Sequence, residues 1–187
     1  LSYQAFEDNE LRDLKSRFFR EAEAAGRLSH PAIVTVYDVG EEADLAFIAM
    51  DYAKGRPLSE FGKPGRLLPL AKVLDIVARV ADALDYAHRQ KIIHRDIKPA
   101  NIMVGEYGEV LLLDWGVAKV LDAESQDSLE ELRSVVQTER STSGDSTMMG
   151  LITGTPSYMA PEQAAGRIDR LDARSDVYAL GALLYEI

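Results

Sequence analysis

Three polar residues in one short stretch, His94 to Asn101, carry side chains that could act together on a phosphate group. Asp96 could accept the proton of a hydroxyl group, because a positioned carboxylate can act as a general base. Lys98, two residues on, could neutralise phosphate charge, and Asn101, five residues on, could offer an amide oxygen to a hard cation such as Mg²⁺. The spacing therefore predicts a site around one reacting phosphate and its metal ion.

Two further motifs follow this stretch along the chain. Asp114-Trp115-Gly116 comes after two short apolar runs, and residues 154–162 read GTPSYMAPE. Together with His94-Arg95-Asp96 they resemble the H-R-D, D-F-G and A-P-E elements of eukaryotic-type Ser/Thr protein kinases, of the kind also found in bacteria. The resemblance covers nearly all of the chain except for about residues 120–147. It implies that ATP and Mg²⁺ are the cofactors.

The resemblance assigns a role to each polar residue of the first two motifs. Asp96 would orient the substrate hydroxyl and take its proton, and Lys98 would pair with the transferred phosphate. Asn101 and Asp114 would hold two magnesium ions.

The same resemblance predicts the substrate class. Lys98 and Thr155 are typical of the branch that acts on Ser and Thr, in which the Thr braces the catalytic Asp and Lys. Trp115 stands where Phe is commoner; its bulk can fill the same core position, and its indole N–H can add a hydrogen bond.

Glu21 resembles the helical Glu that pairs with the ATP-anchoring Lys of the family. That Lys and the Gly-rich phosphate loop are absent from the chain, and we expect them upstream of Leu1. The alternative, that Glu21 is a solvent-facing helix charge, stays open at this point.

Four residues are expected to contact the adenine of ATP. Met50 would lie at the back of the pocket, and Asp51 and Ala53 belong to a hinge whose backbone groups would bind the adenine edge. Met103 would pack beneath the ring from the other lobe. Packing in an ordinary core is the alternative for both Met residues.

Arg95 predicts regulation, because kinases with Arg before the catalytic Asp are commonly switched by a phosphate on the activation segment. Thr147 is the first candidate for that phosphate and Ser146 the second. Asp176 is expected to accept hydrogen bonds from the backbone near His94.

Composition excludes several other classes of protein. A formal net charge of −10 argues against a nucleic-acid partner, and the lack of Cys excludes disulfides and Cys-based metal sites. The sequence contains no apolar run of about 18 residues, so we expect no membrane segment within it.

Hydrophobic periodicity and turn residues predict a mixture of helices and strands. The predicted elements are a helix over about 9–28, strands at 33–37 and 45–50 joined as a hairpin around 40–42, a connector over 51–69, a helix over about 70–90, strands at 102–104 and 110–113, a solvated Ser/Thr-rich loop over 122–147, and a helix from about 175.

These observations predict an α+β, two-lobed kinase fold that is cut at both ends. Residues 1–51 would be part of the small lobe, and residues 52–187 part of the large lobe. The expected partners are protein substrates with Ser or Thr, and the expected location is cytoplasmic; a homodimer for autophosphorylation and a membrane anchor elsewhere stay open. A pseudokinase scaffold and a small-molecule kinase of related fold are the alternatives.

Overall fold

Separate helices and short antiparallel strands make up the described part of the chain, in agreement with the α+β prediction. The structure is a computed structural model that describes residues 19, 22–42, 45–62, 65, 67–115, 119–120 and 156–187. The elements in chain order are α1 (residues 22–26), β1 (Val36–Glu42), β2 (Leu45–Met50), β3 (Arg56–Pro57), α2 (Leu70–Arg89), β4 (Ile92–Ile93), β5 (Ile102–Val104), β6 (Val110–Leu112), β7 (Lys119–Val120), α3 (Pro161–Ala164) and α4 (Ala173–Glu186). Short 3₁₀ turns lie at Leu58–Glu60, Pro99–Asn101, Pro156–Tyr158 and Ile168–Arg170.

Helix α2 confirms the predicted helix over 70–90, and its apolar spacing explains which face is buried. The buried residues recur every three or four positions and are Val73, Ile76, Val80, Ala83, Leu84 and Ala87. The carbonyl of Pro69 accepts the N–H groups of Lys72 and Val73, and His88 and Arg89 in the last turn suit the negative end of the helix dipole.

The chain leaves α2 through a left-handed residue and enters the loop that carries the predicted chemistry. Lys91 has φ 64°, which ends the helix, and its N–H donates to the carbonyl of His88 at 2.9 Å. Strand β4 follows at once, so the end of α2 fixes where residues 94–101 begin.

Strands β5 and β6 form the hairpin on which that loop is mounted. Ile102 pairs with Leu112, Met103 with Leu111, and Val104 with Val110, and the two-residue β3 extends the sheet beside β5. The turn at about 106–108 is where the sequence predicts it. Residues before the hairpin and after it therefore lie at the same end of the sheet.

The hairpin of β1 and β2 confirms the prediction of two paired strands and the bounds of the second, but it corrects the bounds of the first. The first strand begins at Val36 rather than at Ile33, because Ile33 makes a parallel bridge to Leu112 of β6 instead. Gly40 lies inside the strand, paired with Phe47, and the connection falls after Glu42. The apolar run 33–37 thus serves two sheets, which periodicity alone does not reveal.

One hydrophobic cluster joins these elements beneath residues 94–101. It contains the inner face of α2, the strands β5 and β6, Trp115, and Ala179 and Leu183 of α4. Helix α4 starts at Ala173, two residues earlier than predicted, because the side chain of Asp172 caps it by accepting the N–H of Arg174 at 2.8 Å. No helix in the described ranges has the length and hydropathy that crossing a membrane requires.

Candidate active site

The loop between β4 and β5 is held by a carboxylate from helix α4. Asp176 is fully buried, and its two oxygens accept the N–H of His94 at 2.9 Å and the N–H of Arg95 at 2.8 Å. His88 of α2 contacts the same carboxylate through Nε2 at 2.7 Å. The predicted role of Asp176 is confirmed, and the bonds fix the backbone where Arg95 takes a left-handed φ of 68°.

The three residues that define the sequence motif lie together on this loop. Asp96 is 8% exposed, and its Oδ2 accepts from Lys98 Nζ at 2.6 Å and from Asn101 Nδ2 at 3.0 Å. Asn101 Nδ2 also donates to the main-chain carbonyl of Asp96 at 2.9 Å. Both of these side chains contact the same oxygen, Oδ2, of the carboxylate.

Asp114 is placed beside Asn101 by the backbone. The N–H of Leu113 donates to the carbonyl of Asn101 at 2.8 Å, so the next residue starts alongside the loop between β4 and β5. Asp114 then adopts φ 59° and is exposed. A non-glycine residue in this region is uncommon, and such backbone conformations cluster at functional sites.

The donor set of these two residues fits magnesium. Asn101 has its amide nitrogen engaged with Asp96, so its carbonyl oxygen is the atom it can offer to a cation, and Asp114 offers a carboxylate. Mg²⁺ is commonly held by one or two such oxygens together with phosphates and water. No group of three or more His, Cys, Asp or Glu suited to a metal occurs within the described part of the chain.

His94 is a buried, neutral ring rather than an acid–base group. Its Nδ1 accepts the N–H of Asp96 at 3.2 Å, and its Nε2 bonds to the carbonyl of Leu113 at 3.0 Å. Burial lowers the pKa of His94, against the opposing charge of Asp176. The ring therefore links the loop to the segment that carries Asp114 without carrying a charge.

Trp115 fills the core position predicted for it. The side chain is 3% exposed and lies against His94 with ring centroids 4.6 Å apart. Its Nε1 is buried and has no hydrogen-bond partner in the described part of the structure. The hydrogen bond that the indole can make is therefore not formed with any of the described residues.

The predicted hinge follows β2. Met50 ends the strand and is 47% exposed, whereas Asp51 and Ala53 are partly buried. Further on, Gly55 has φ 147°, and a Cβ there would lie 2.4 Å from the carbonyl oxygen of Val104, so only glycine allows this close passage over β5.

Met103 is partly buried in β5, in register with Pro57 of β3. Its contact with adenine stays a prediction, as do those of Met50, Asp51 and Ala53.

One bond between the loop and helix α3 was not foreseen from the sequence. Gln163 Nε2 donates to the carbonyl of Arg95 at 2.7 Å, which ties the residue before Asp96 to the third motif. The position of Gln163, directly after Pro161-Glu162, is the signal that could have found it. Glu162 accepts from Ser175 Oγ at 2.5 Å and so has a partner within the chain.

Four of the predicted site residues lie outside the described residues. These are Glu21, Ser146, Thr147 and Thr155. Their roles stay predictions.

Comparisons with known proteins agree with this geometry. The family model described as "Protein kinase domain" matches residues 4–187. The chain is 36% identical over 186 residues to the serine/threonine-protein kinase PknD of Protochlamydia amoebophila, covering 93% of this chain and 18% of that protein. It is 39% identical over 181 residues to a probable serine/threonine-protein kinase of Streptomyces coelicolor, covering 92% of this chain and 23% of that protein.

A third relative is the serine/threonine-protein kinase PknB of Mycobacterium leprae, 40% identical over 175 residues, with 91% of this chain and 25% of that protein covered. The chain thus spans about a fifth to a quarter of the length of these relatives. The match extends over the catalytic loop, the Asp114 segment and helix α4 together. This chain belongs to the protein kinase domain family.

Proposed function

We propose that the protein transfers the γ-phosphate of ATP to Ser and Thr hydroxyls of proteins, with magnesium. The observation that carries the proposal is the contact of Asp96 with both Lys98 and Asn101 on one loop, beside Asp114. The relatives named above are called serine/threonine-protein kinases, which supports the same reaction.

Asp96 acts on the substrate hydroxyl. Its Oδ2 is held by two donors, so Oδ1 points to the remaining side and can accept the proton as the hydroxyl oxygen attacks. A carboxylate fixed by hydrogen bonds needs no reorientation during the reaction, and such positioning is the main contribution a protein makes to phosphoryl transfer.

Lys98 brings positive charge to the same place. Its ammonium group lies 2.6 Å from Asp96 Oδ2, and the side chain is 23% exposed, so the group can also face a phosphate that approaches from solvent. Charge that develops on the transferred phosphoryl group is stabilised by such a cation.

Asn101 and Asp114 would hold magnesium through one amide and one carboxylate oxygen. When bound, the metal neutralises phosphate charge. The backbone bond from Leu113 to Asn101 keeps the two residues on neighbouring segments, so both could hold the same cation.

Two substitutions in the full-length protein separate these roles. Asp96→Asn should lower phosphorylation of a Ser/Thr peptide by about 100-fold or more while ATP affinity persists, because the lost group is the base. Asp114→Asn should instead weaken Mg-ATP binding about tenfold, equivalent to about 1.4 kcal/mol. Phosphorylation is measured with labelled ATP and affinity by calorimetry.

The matched control is Asp75→Asn, which alters an exposed carboxylate on α2 that pairs with Arg79 at 3.0 Å. This substitution should change neither the rate of peptide phosphorylation nor the affinity for Mg-ATP. Equal loss of nucleotide affinity in Asp96→Asn and Asp114→Asn would refute the division of roles, and nucleotide binding without any phosphorylation in the unaltered protein would favour a pseudokinase.

We also propose that autophosphorylation at Thr147 or Ser146 raises the activity through Arg95. The backbone of Arg95 is fixed on one side by Asp176 and on the other by Gln163, so a phosphate bound to its guanidinium would act on the residue next to Asp96. Guanidinium binds phosphate with two parallel hydrogen bonds, which makes this pairing strong. A homodimer would allow one copy to modify another.

The test is phosphosite mapping by mass spectrometry combined with the double substitution Ser146→Ala and Thr147→Ala. Activity should fall severalfold, and it should fall no further when Arg95→Ala is added. Ser128→Ala, in the same Ser/Thr-rich stretch, is the control. A fully active enzyme that carries no phosphate between residues 141 and 147 would contradict this mechanism.

A further inference from the structure

Three hydrogen bonds fix the backbone at Arg95 and Asp96, and they come from helix α4, from helix α3 and from the loop itself. The N–H of Arg95 donates to Oδ1 of Asp176 at 2.8 Å. The carbonyl of Arg95 accepts from Gln163 Nε2 at 2.7 Å, and the N–H of Asp96 donates to Nδ1 of His94 at 3.2 Å. The peptide unit that leads into Asp96 is therefore held both at its oxygen and at its hydrogen.

These bonds control different rotations of the backbone. The bond to Asp176 holds the N–H of Arg95, which lies before the Cα of that residue and does not move when its ψ angle changes. The carbonyl held by Gln163 lies after the Cα, so a change of ψ would rotate it away from the Gln163 amide. Asp176 alone thus cannot orient the peptide plane that leads into Asp96, whereas Gln163 can.

The conformation that these bonds hold is one that a residue with a Cβ adopts rarely. Arg95 has φ 68°, in the left-handed region that is unfavourable for residues other than glycine. Such a conformation persists only when the surrounding contacts fix it. The bond from Gln163 is the shortest of the three, and its side chain is partly buried, which strengthens the bond relative to one in water.

Helix α3 is itself anchored beside the loop. Glu162, the residue before Gln163, accepts from Ser175 Oγ at 2.5 Å, and Ser175 directly precedes Asp176 in α4. The loop, α3 and α4 are thus joined in a closed ring of hydrogen bonds, from Arg95 to α4, from α4 to α3, and from α3 back to Arg95. This ring ties the backbone ahead of the proposed base to the segment that carries the third motif.

We propose that Gln163 is a positioning residue for phosphoryl transfer, because its amide fixes the plane of the peptide between Arg95 and Asp96 and so directs the Asp96 side chain toward the substrate hydroxyl. Gln163 acts through the backbone of the loop. A small displacement of a positioned base lowers the rate of the chemical step, whereas nucleotide and peptide bind as before. The inference rests on the proposed transfer of phosphate to Ser and Thr.

Single-turnover phosphorylation of a Ser/Thr peptide by the full-length protein tests this, with enzyme in excess over labelled ATP. Gln163→Met keeps the length of the side chain and removes the donor, so the rate constant for transfer should fall about 3- to 10-fold, the range expected for one hydrogen bond. The peptide concentration that gives half of the maximal rate, and the affinity for ADP measured by calorimetry, should stay within about twofold.

Gln163→Glu adds a measurement that a merely structural role would not change. Its carboxylate resembles the amide in shape but only accepts hydrogen bonds, so it faces the Arg95 carbonyl without a donor, whereas its protonated form can donate again. The transfer rate of Gln163→Glu divided by that of Gln163→Met should therefore rise at least about threefold between about pH 8 and about pH 5. Any titration of Asp96 or His94 is common to both variants and cancels in the ratio.

Gln90→Met is the matched control, because Gln90 is an exposed glutamine at the end of α2. This substitution should change neither the transfer rate nor the affinity for ADP. Thermal unfolding checks that each variant is folded. If Gln163→Met does not fold, the rate of Gln163→Glu relative to the unaltered protein is followed over the same pH range, and a relative rate that does not rise as the pH falls refutes the role of Gln163.

The outcomes separate this inference from the proposed function. Failure of the unaltered protein to phosphorylate either a Ser/Thr peptide or itself overturns the proposed function. Three results overturn the inference and leave that function standing: an unchanged transfer rate in Gln163→Met, a loss that is confined to weaker binding of peptide or ADP, and a ratio of Gln163→Glu to Gln163→Met that does not depend on pH.

Discussion

Replacing Asp176 by Ala should destabilise the protein more than any surface substitution, because one buried carboxylate satisfies donors from two separate elements. The change removes acceptors at 2.9 Å and 2.8 Å from the N–H groups of His94 and Arg95, and a third contact at 2.7 Å to His88. Each buried donor left without a partner costs about 1–3 kcal/mol.

The two orphaned main-chain donors therefore predict a loss of about 2–6 kcal/mol in the free energy of unfolding, and we expect about 3–5 kcal/mol. Such a loss is a large share of the roughly 5–15 kcal/mol that stabilises an ordinary domain. The left-handed backbone of Arg95, φ 68°, should also relax once its N–H is free, and relaxation would displace Asp96. Phosphorylation activity should consequently fall even at temperatures where the variant stays folded.

Urea unfolding followed by circular dichroism and by tryptophan fluorescence measures the effect, since Trp115 is the chain's single tryptophan and lies beside His94. Asp176→Asn should lose less, about 2 kcal/mol, because its one remaining acceptor oxygen can still serve one donor. The control Asp75→Ala removes an exposed pair with Arg79 and should cost no more than about 0.5 kcal/mol. A loss below about 1 kcal/mol in Asp176→Ala would refute the reasoning.

Three smaller predictions follow from the same packing. Trp115→Phe should change the free energy of unfolding by less than about 1 kcal/mol in urea titrations, because removing the unpartnered indole N–H offsets the lost volume. Burial lowers the folded-state pKa of His94, so the unfolded chain binds more protons than the folded chain near pH 6. Protonation therefore favours unfolding, and the urea midpoint should fall as the pH drops through about 6.5. The His94 ring of the folded protein should keep the NMR shifts of a neutral imidazole at that pH. Asp172→Ala should cost about 1 kcal/mol by removing the cap of α4, whereas Asp169→Ala, exposed in the preceding turn, should leave thermal unfolding unchanged.

Helices α2 and α4 and the order of the motif residues could be predicted from the sequence, because they depend on residues close together in the chain. The apolar spacing from Val73 to Ala87 defines α2 whatever it packs against. Asp96, Lys98 and Asn101 lie within one turn-rich stretch, so their meeting needs only local backbone geometry, and the structure brings them into contact.

The strand bounds were less predictable, because a short apolar run does not specify its partner. Ile33 reads as the start of a strand, yet it bridges to Leu112, and pairing with Met50 begins only at Val36. The choice between two sheets depends on which edge is nearest after the core has formed. Register and the bulge at Tyr37 are consequences of that choice.

The supports of the site arise from contacts between residues far apart along the chain. Asp176 reaches the loop from 82 residues away, and Gln163 reaches the carbonyl of Arg95 from 68 residues away. The first contact follows from the resemblance to known kinases, whereas the second and the unpartnered indole of Trp115 do not. The local sequence pattern specifies which groups can react. Hydrogen-bond partners across such distances are set instead by how helices α3 and α4 pack against the core, because a bond of about 3 Å tolerates little displacement of either element.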